Sequence, residues 1–215
     1  AFMVRTKELD NEDILQINQA LEEEFGDLVD LKTDMVGPVI GQELIRKAIL
    51  AVVISSIGIL AYITFRFEYR FATVAVVCLL HDVLVVLGLF ALLGREVNSP
   101  FVAAILTVVG YSINDTIVIF DRIRENLRFR KKESYEEIVE NSLCQSLSRT
   151  INTSITTFVV VFMLVLFGGR AIQDFALALL IGIVSGTYSS LLVASPLWLA
   201  WTNKGKGSAA SSTAN

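Results

Sequence analysis

The 215 residues are 53% hydrophobic and only 19% charged, with a mean hydropathy of +0.61 and a net charge of −4. A soluble domain carries about 25% charge, and here the apolar excess is gathered into runs of about 20 residues, long enough to cross roughly 30 Å of hydrocarbon. A soluble enzyme or binding module is excluded, and the fold class is an all-α polytopic membrane protein.

Residues 1–45 are acidic and soluble in character. Residues 4–9 read as a short strand. Ile14, Ile17, Leu21 and Phe25 then recur at helical spacing, between a cap at Asp10-Asn11 and Gly26. Residues 1–35 are therefore expected to be the closing elements of a small α+β domain whose earlier part lies elsewhere, since so short a stretch buries little core. No apolar leader core follows Ala1-Phe-Met-Val-Arg5, so the chain reads as a piece of a longer protein.

Residues 36–45 form a linker with Pro38 between Gly37 and Gly41. The bundle proper is expected over 46–201, with spans near 46–65, 71–93, 101–121, 150–167 and 172–199. The second span is interrupted by His81-Asp82, and the third carries Asn114 and Asp115. Ser134 followed by Glu137 is a capping box opening a one-sided loop helix over 134–147. The fourth span begins with the hydroxyl-rich run Arg149-Thr-Ile-Asn-Thr-Ser-Ile-Thr-Thr157. The fifth has a small-residue seam at Gly182, Ser185, Gly186, Ser189 and Ser190, which lets helices approach closely. Trp198 and Trp201 are expected to anchor the far interface, and residues 202–215 to form an unstructured tail.

Six Arg and Lys fall within residues 122–132. Anionic headgroups and topology suffice to explain them, so nucleic acid is not implied as a partner. Basic residues crowd the side of the 66–70 turn, the 122–149 loop and the tail, which makes that side cytoplasmic and residues 1–45 external. Cys78 and Cys144 suggest neither a disulfide nor a metal site, and the chain carries no hydrolase elbow, phosphate-binding loop or haem motif. No cofactor and no catalytic residue is expected.

The chemistry then rests on acids inside the membrane. A carboxylate deep in an apolar helix is expensive and normally faces protein, a partner or a water path. Asp115 lies roughly 20 Å along its span and His81-Asp82 roughly 15 Å along theirs, at 1.5 Å per residue. The Arg149–Thr157 stretch enters from the same, cytoplasmic side, so these groups meet if the helices are neighbours. Asn152 with Thr156, and Thr153 with Thr157, form polar rows able to hold water or bond a carboxyl group. Burial favours the neutral acid and an approaching guanidinium favours the carboxylate, so a helix shift that changes the Asp115–Arg149 distance would load and release a proton. The alternative is that Asp115 only fixes helix packing. His81 and Asp82, adjacent on one helix, are expected to point apart.

Four patterns in this order, Val36-Gly-Pro-Val-Ile-Gly-Gln-Glu-Leu44, His81-Asp82, Gly110–Asn126 and Ser148–Thr157, resemble the SecF family of protein-export membrane proteins. The resemblance covers residues 4–201. It implies that the five spans are the second to sixth of a six-helix bundle and that residues 1–35 are the remnant of a ferredoxin-like α+β periplasmic domain. It also implies a multi-pass protein of the bacterial inner membrane, likened to resistance-nodulation-division transporters, that uses the proton-motive force to promote translocation of unfolded polypeptide. The partners implied are SecD, the SecYEG channel with SecA, a YajC-like accessory subunit, protons and membrane lipids. The implied proton relay is Asp115 with Arg149, supported by Asn114, His81, Asp82, Asn152, Thr153, Thr156 and Thr157. A scaffold that moves no protons, and a small-molecule efflux pump of the same fold, are the other readings.

Overall fold

A computed structural model describes residues 11–26, 38–95, 97–129 and 133–212. The elements are α1 (Asn11–Phe25), α2 (Pro38–Arg66), α3 (Tyr69–Leu92), α4 (Ser99–Phe129), α5 (Tyr135–Phe167), α6 (Arg170–Ser189), a π turn (Ser190–Ala194) and α7 (Ser195–Ser212). The chain divides into two units, residues 1–47 and 48–215.

In the first unit the described residues give α1 and the opening of α2. Among the described residues there is no strand, and this overturns the expected ferredoxin-like α+β remnant. A sheet needs strands to share ladder hydrogen bonds, and the described part of 1–35 offers only a helix closed by Gly26 at φ +79°. The strand expected over 4–9 lies outside the described residues. So do Val36 and Gly37 of the linker, whereas Pro38 already stands in the first position of α2. Proline suits that position because its fixed φ is helical and its missing N–H would have had no partner there.

Among the described residues five helices are long and apolar enough to cross a membrane: Gln42–Arg66, Tyr69–Leu92, Ser99–Phe129, Tyr135–Phe167 and Ile172–Asn203. The loop helix and fourth span are one helix, α5, 33 residues long. No glycine or proline interrupts it, and Ser142, Ser146, Thr153, Thr156 and Thr157 donate their hydroxyls back to carbonyls one turn earlier. Its capping box is formed, Ser134 Oγ accepting from Glu137 N and Glu137 Oε2 from Ser134 N at 2.7 Å. Of the basic run, residues 130–132 lie outside the described residues.

Helix α6 touches α3, α4 and α5, while α4 also touches α3 and α5. The α4–α6 approach depends on the seam. A Cβ built on Gly182 would run into the Val108 side chain, and one on Gly186 would lie 3.1 Å from Ser112 Cβ. Two apolar clusters result. One gathers Val86, Phe90, Phe101, Ile105, Val108 and Ile183; the other gathers Phe71, Ala75, Ile119, Phe120, Val139 and Trp198. Trp198 is buried and stacks on Phe71 (centroids 4.7 Å apart, planes 11°), so it is a core residue and not an interface anchor. Trp201 meets Tyr69 edge-on at the surface.

Candidate functional site

On α4 and α6 the stretch between the two clusters is polar. Ser112, Asp115 and Thr116 of α4, and Ser185, Ser189 and Ser190 of α6 and the π turn, are all buried there. Their spacing of three or four residues puts each set on one face. Apolar neighbours above and below deny these groups water, so each must find its partner within the layer.

Two carboxylates enter this layer. Asp82 of α3 is 0% exposed and accepts three serine hydroxyls from two other helices. Ser112 Oγ donates to Oδ2 at 2.5 Å, Ser189 Oγ to Oδ2 at 2.8 Å, and Ser185 Oγ to Oδ1 at 2.8 Å. His81 Nδ1 lies 3.1 Å from Oδ1, so the adjacent pair converges where it was expected to point apart. The imidazole reaches back over its own helix, which a ring on a flexible stem can do. His81 is half-exposed and its ring lies 6.4 Å from that of Tyr188 on α6.

Asp115 is 3% exposed and is held differently. Ser154 Oγ of α5 donates to its Oδ2 at 3.3 Å, and Thr187 of α6 lies 2.8 Å from Ser154 Oγ. The hydroxyl pair thus joins α4, α5 and α6 at one acid. Beside it, Thr116 Oγ1 and Ser190 Oγ are 2.8 Å apart. Among the described residues Asp115 has no ion pair.

Arg149 is exposed, with no ion pair to Asp115, although its charge is within electrostatic reach. Asn114, Asn152 and Thr156 are exposed on the outer surface of α4 and α5. The hydroxyls of Thr153, Thr156 and Thr157 are spent on carbonyls of their own helix, and Tyr111 donates to the Thr153 carbonyl at 3.3 Å. Arg122 joins Gln145 and Glu125, both at 2.6 Å, rather than Asp115. The structure therefore brings together Asp82 with His81, and Asp115 with Ser154 and Thr187. It does not bring the two acids into one network, nor the Asn152–Thr157 rows to Asp115. Sequence reasoning missed Ser112, Ser154 and Thr187. Ser185 and Ser189 were read only as packing. The signal was present in the Ser112/Asp115/Thr116 and Ser185/Ser189 spacings.

Such an arrangement can bind and release protons on buried acids and couple their charge to helix packing. Among the described residues no cluster of three His, Cys, Asp or Glu could hold a metal ion.

Residues 16–204 match the family model described as protein export membrane protein SecD/SecF, C-terminal. The chain is 47% identical over 178 residues to the protein translocase subunit SecF of Alicyclobacillus acidocaldarius, covering 81% of this chain and 58% of that protein. It is 48% identical over 198 residues to SecF of Thermobaculum terrenum, covering 88% and 62%. The crystal structure of SecDF from Thermus thermophilus, described as a translocon-associated membrane protein, superposes with a TM-score of 0.83 at 44% identity, covering 91% of this chain and 27% of that one. The chain thus spans less than two thirds of the length of these relatives.

Proposed function

The chain belongs to the SecD/SecF family of protein-export membrane proteins, and we propose that it works as a proton-motive-force-driven accessory subunit of protein export in the bacterial inner membrane. It is a transport subunit, not an enzyme. In this reading it assembles with SecD, and together they act with the SecYEG channel, the SecA motor and a YajC-like subunit on unfolded polypeptide. The exposed amide side chains of Asn114 and Asn152 support a protein partner on the outer surface of α4 and α5, since polar groups within a span avoid lipid.

The observation that carries the mechanism is Asp115, a buried acid in a membrane span whose side-chain partner among the described residues is one neutral hydroxyl, at 3.3 Å. Two or three strong donors would hold a carboxylate ionised; a single long bond leaves the proton exchangeable. Arg149, unpaired with Asp115 here, is the group whose approach would expel it. The membrane potential contributes ~2.3 kcal/mol per charge per 100 mV, enough to bias a helix rearrangement of a few kcal/mol. His81, Asp82, Asn114, Asn152, Thr153, Thr156 and Thr157 support this relay in the proposal by shaping the polar layer and the partner-facing flank.

Asp115→Asn is expected to abolish proton-dependent export and proton flux in reconstituted vesicles while assembly with SecD persists. Unchanged flux and export would leave the scaffold reading, which the Ser154–Asp115 bond also fits as a packing contact.

A further inference from the structure

The proposed relay gives Asp82 only a place in the polar layer and does not account for how it is bonded. Asp82 is the more completely buried of the two and the more heavily bonded, with three serine donors from α4 and α6 and the His81 ring on its fourth side. Three hydroxyl donors converge on its two oxygens, and a protonated acid would give up part of that acceptor capacity to its own O–H. Apolar clusters lie above and below this polar layer, and no lysine or arginine is paired with Asp82 among the described residues. The integrity of the cluster therefore depends on all the donors being in place.

The donors are not scattered. Ser189 is the last residue of α6 before the π turn at Ser190–Ala194, and Ser190, the first residue of that turn, is tied to Thr116 of α4. A π turn holds one residue more than the α-helix around it accommodates, and it recurs at functional positions because it can be absorbed or moved. Just beyond it, Ser195 Oγ and Trp198 Nε1 are buried without a hydrogen-bond partner. Buried polar groups left unpaired are costly, so this segment is the least satisfied part of the last span's interior. The Asp82 bonds thus fasten the residue that fixes where the turn begins.

We propose that the His81–Asp82 pair is a second protonation site, independent of Asp115, that latches the π turn of the last span: ionised Asp82 holds Ser185, Ser189 and Ser112, and its protonation through His81 frees α6 to shift register. In the proposal His81, the outer member of the pair, takes up a proton from outside the cluster and passes one from Nδ1 to Oδ1 across 3.1 Å. The neutral acid then holds its serine donors weakly. The titratable groups around the pair are His81, 3.1 Å from Asp82, Cys78 one turn before it on α3, and Tyr188 of α6 against the His81 ring, while Asp115 stands one turn beyond Ser112 on α4. The inference goes beyond the export reading and stands whether or not Asp115 carries protons.

The test uses the full-length protein with its partner in lipid nanodiscs. Amide hydrogen exchange over residues 189–202, corrected for the intrinsic pH dependence of exchange, is followed alongside the carboxyl C=O band in infrared difference spectra. In the unsubstituted protein, acidification is expected to speed exchange in this segment about tenfold or more, the loss of one or two charge-assisted bonds. Asp82→Asn should exchange fast at every pH and lose one carboxyl band. Ser189→Ala, which keeps the acid, should exchange faster than the unsubstituted protein at neutral pH and remain pH-responsive. Asp115→Asn should keep the full pH response of the segment; its proton flux judges the export reading separately. The inference is overturned if Asp82→Asn retains the pH response or the band, or if Asp115→Asn abolishes the response. Should Asp82→Asn fail to fold, slow exchange in Ser189→Ala at all pH values overturns it equally.

Discussion

Replacing Gly182 by alanine adds one methyl where α6 lies against Val108 of α4, and the structure states what that methyl meets. It would collide with both methyls and the Cβ of Val108, a side chain buried at 1% exposure. Val108 is β-branched and stiff in χ1, so it cannot swing aside. Overpacking of this kind costs about 1–3 kcal/mol, and alanine returns about 1 kcal/mol of helix propensity relative to glycine. With clashes as close as these the cost falls toward the upper end of that range, and a net loss of up to about 2 kcal/mol is expected. Gly186→Ala is the control, because its Cβ would lie 3.1 Å from Ser112 Cβ and 3.3 Å from Ser112 Cα. That clash is small enough for the propensity gain to offset, leaving a change within about 0.5 kcal/mol. Val108→Ala combined with Gly182→Ala should recover at least about 1 kcal/mol relative to the sum of the single changes, since the new methyl fills the space vacated. Reversible unfolding in a bilayer or mild detergent supplies the free energies of all four variants, the Val108→Ala single change included. Equal costs at the two glycines, or strict additivity of the pair, would refute the account of how α4 and α6 approach. The consequence reaches the site, because pushing these helices apart stretches the Ser112–Asp82 and Thr116–Ser190 bonds together.

Trp198→Ala should cost about 3 kcal/mol or more in the same assay, because it empties the stack on Phe71. Trp201→Ala, at the surface, should cost less than about 1 kcal/mol. Ser134→Ala removes the capping box of α5 and should cost about 1 kcal/mol, read as faster hydrogen exchange in the first turn after Tyr135. Asp174→Asn breaks the 3.3 Å contact with Arg95, which is 40% exposed, and should change stability by less than about 1 kcal/mol, with little salt dependence left.

The five spans were legible because crossing hydrocarbon demands a length and a composition that few other constraints mimic. The capping box at Ser134 and the seam at Gly182 and Gly186 were legible for the same reason: each has a local pattern with one physical cause. The division of labour among the polar residues was not. Serine in a close-packed seam and serine donating to a carboxylate have the same spacing, so Ser185 and Ser189 could be read as packing until Asp82 was seen between them. Thr153, Thr156 and Thr157 matched a polar row, yet their hydroxyls serve their own backbone, a use that spacing alone cannot distinguish. The expected sheet failed because one candidate strand carries no information about a partner to pair with. Helix neighbours, on which the separation of Asp82 from Asp115 depends, are not encoded in any local stretch.

The wide turn at Ser190–Ala194 inserts a supernumerary residue in the last span without breaking it. At 3.6 residues per turn, one residue swings everything downstream by about 100°. The indole of Trp198 faces Phe71 only because of that offset. Deleting a single residue between 190 and 194 would restore an ordinary spiral and carry the indole out of the aromatic stack, so the count of residues there matters more than their identity.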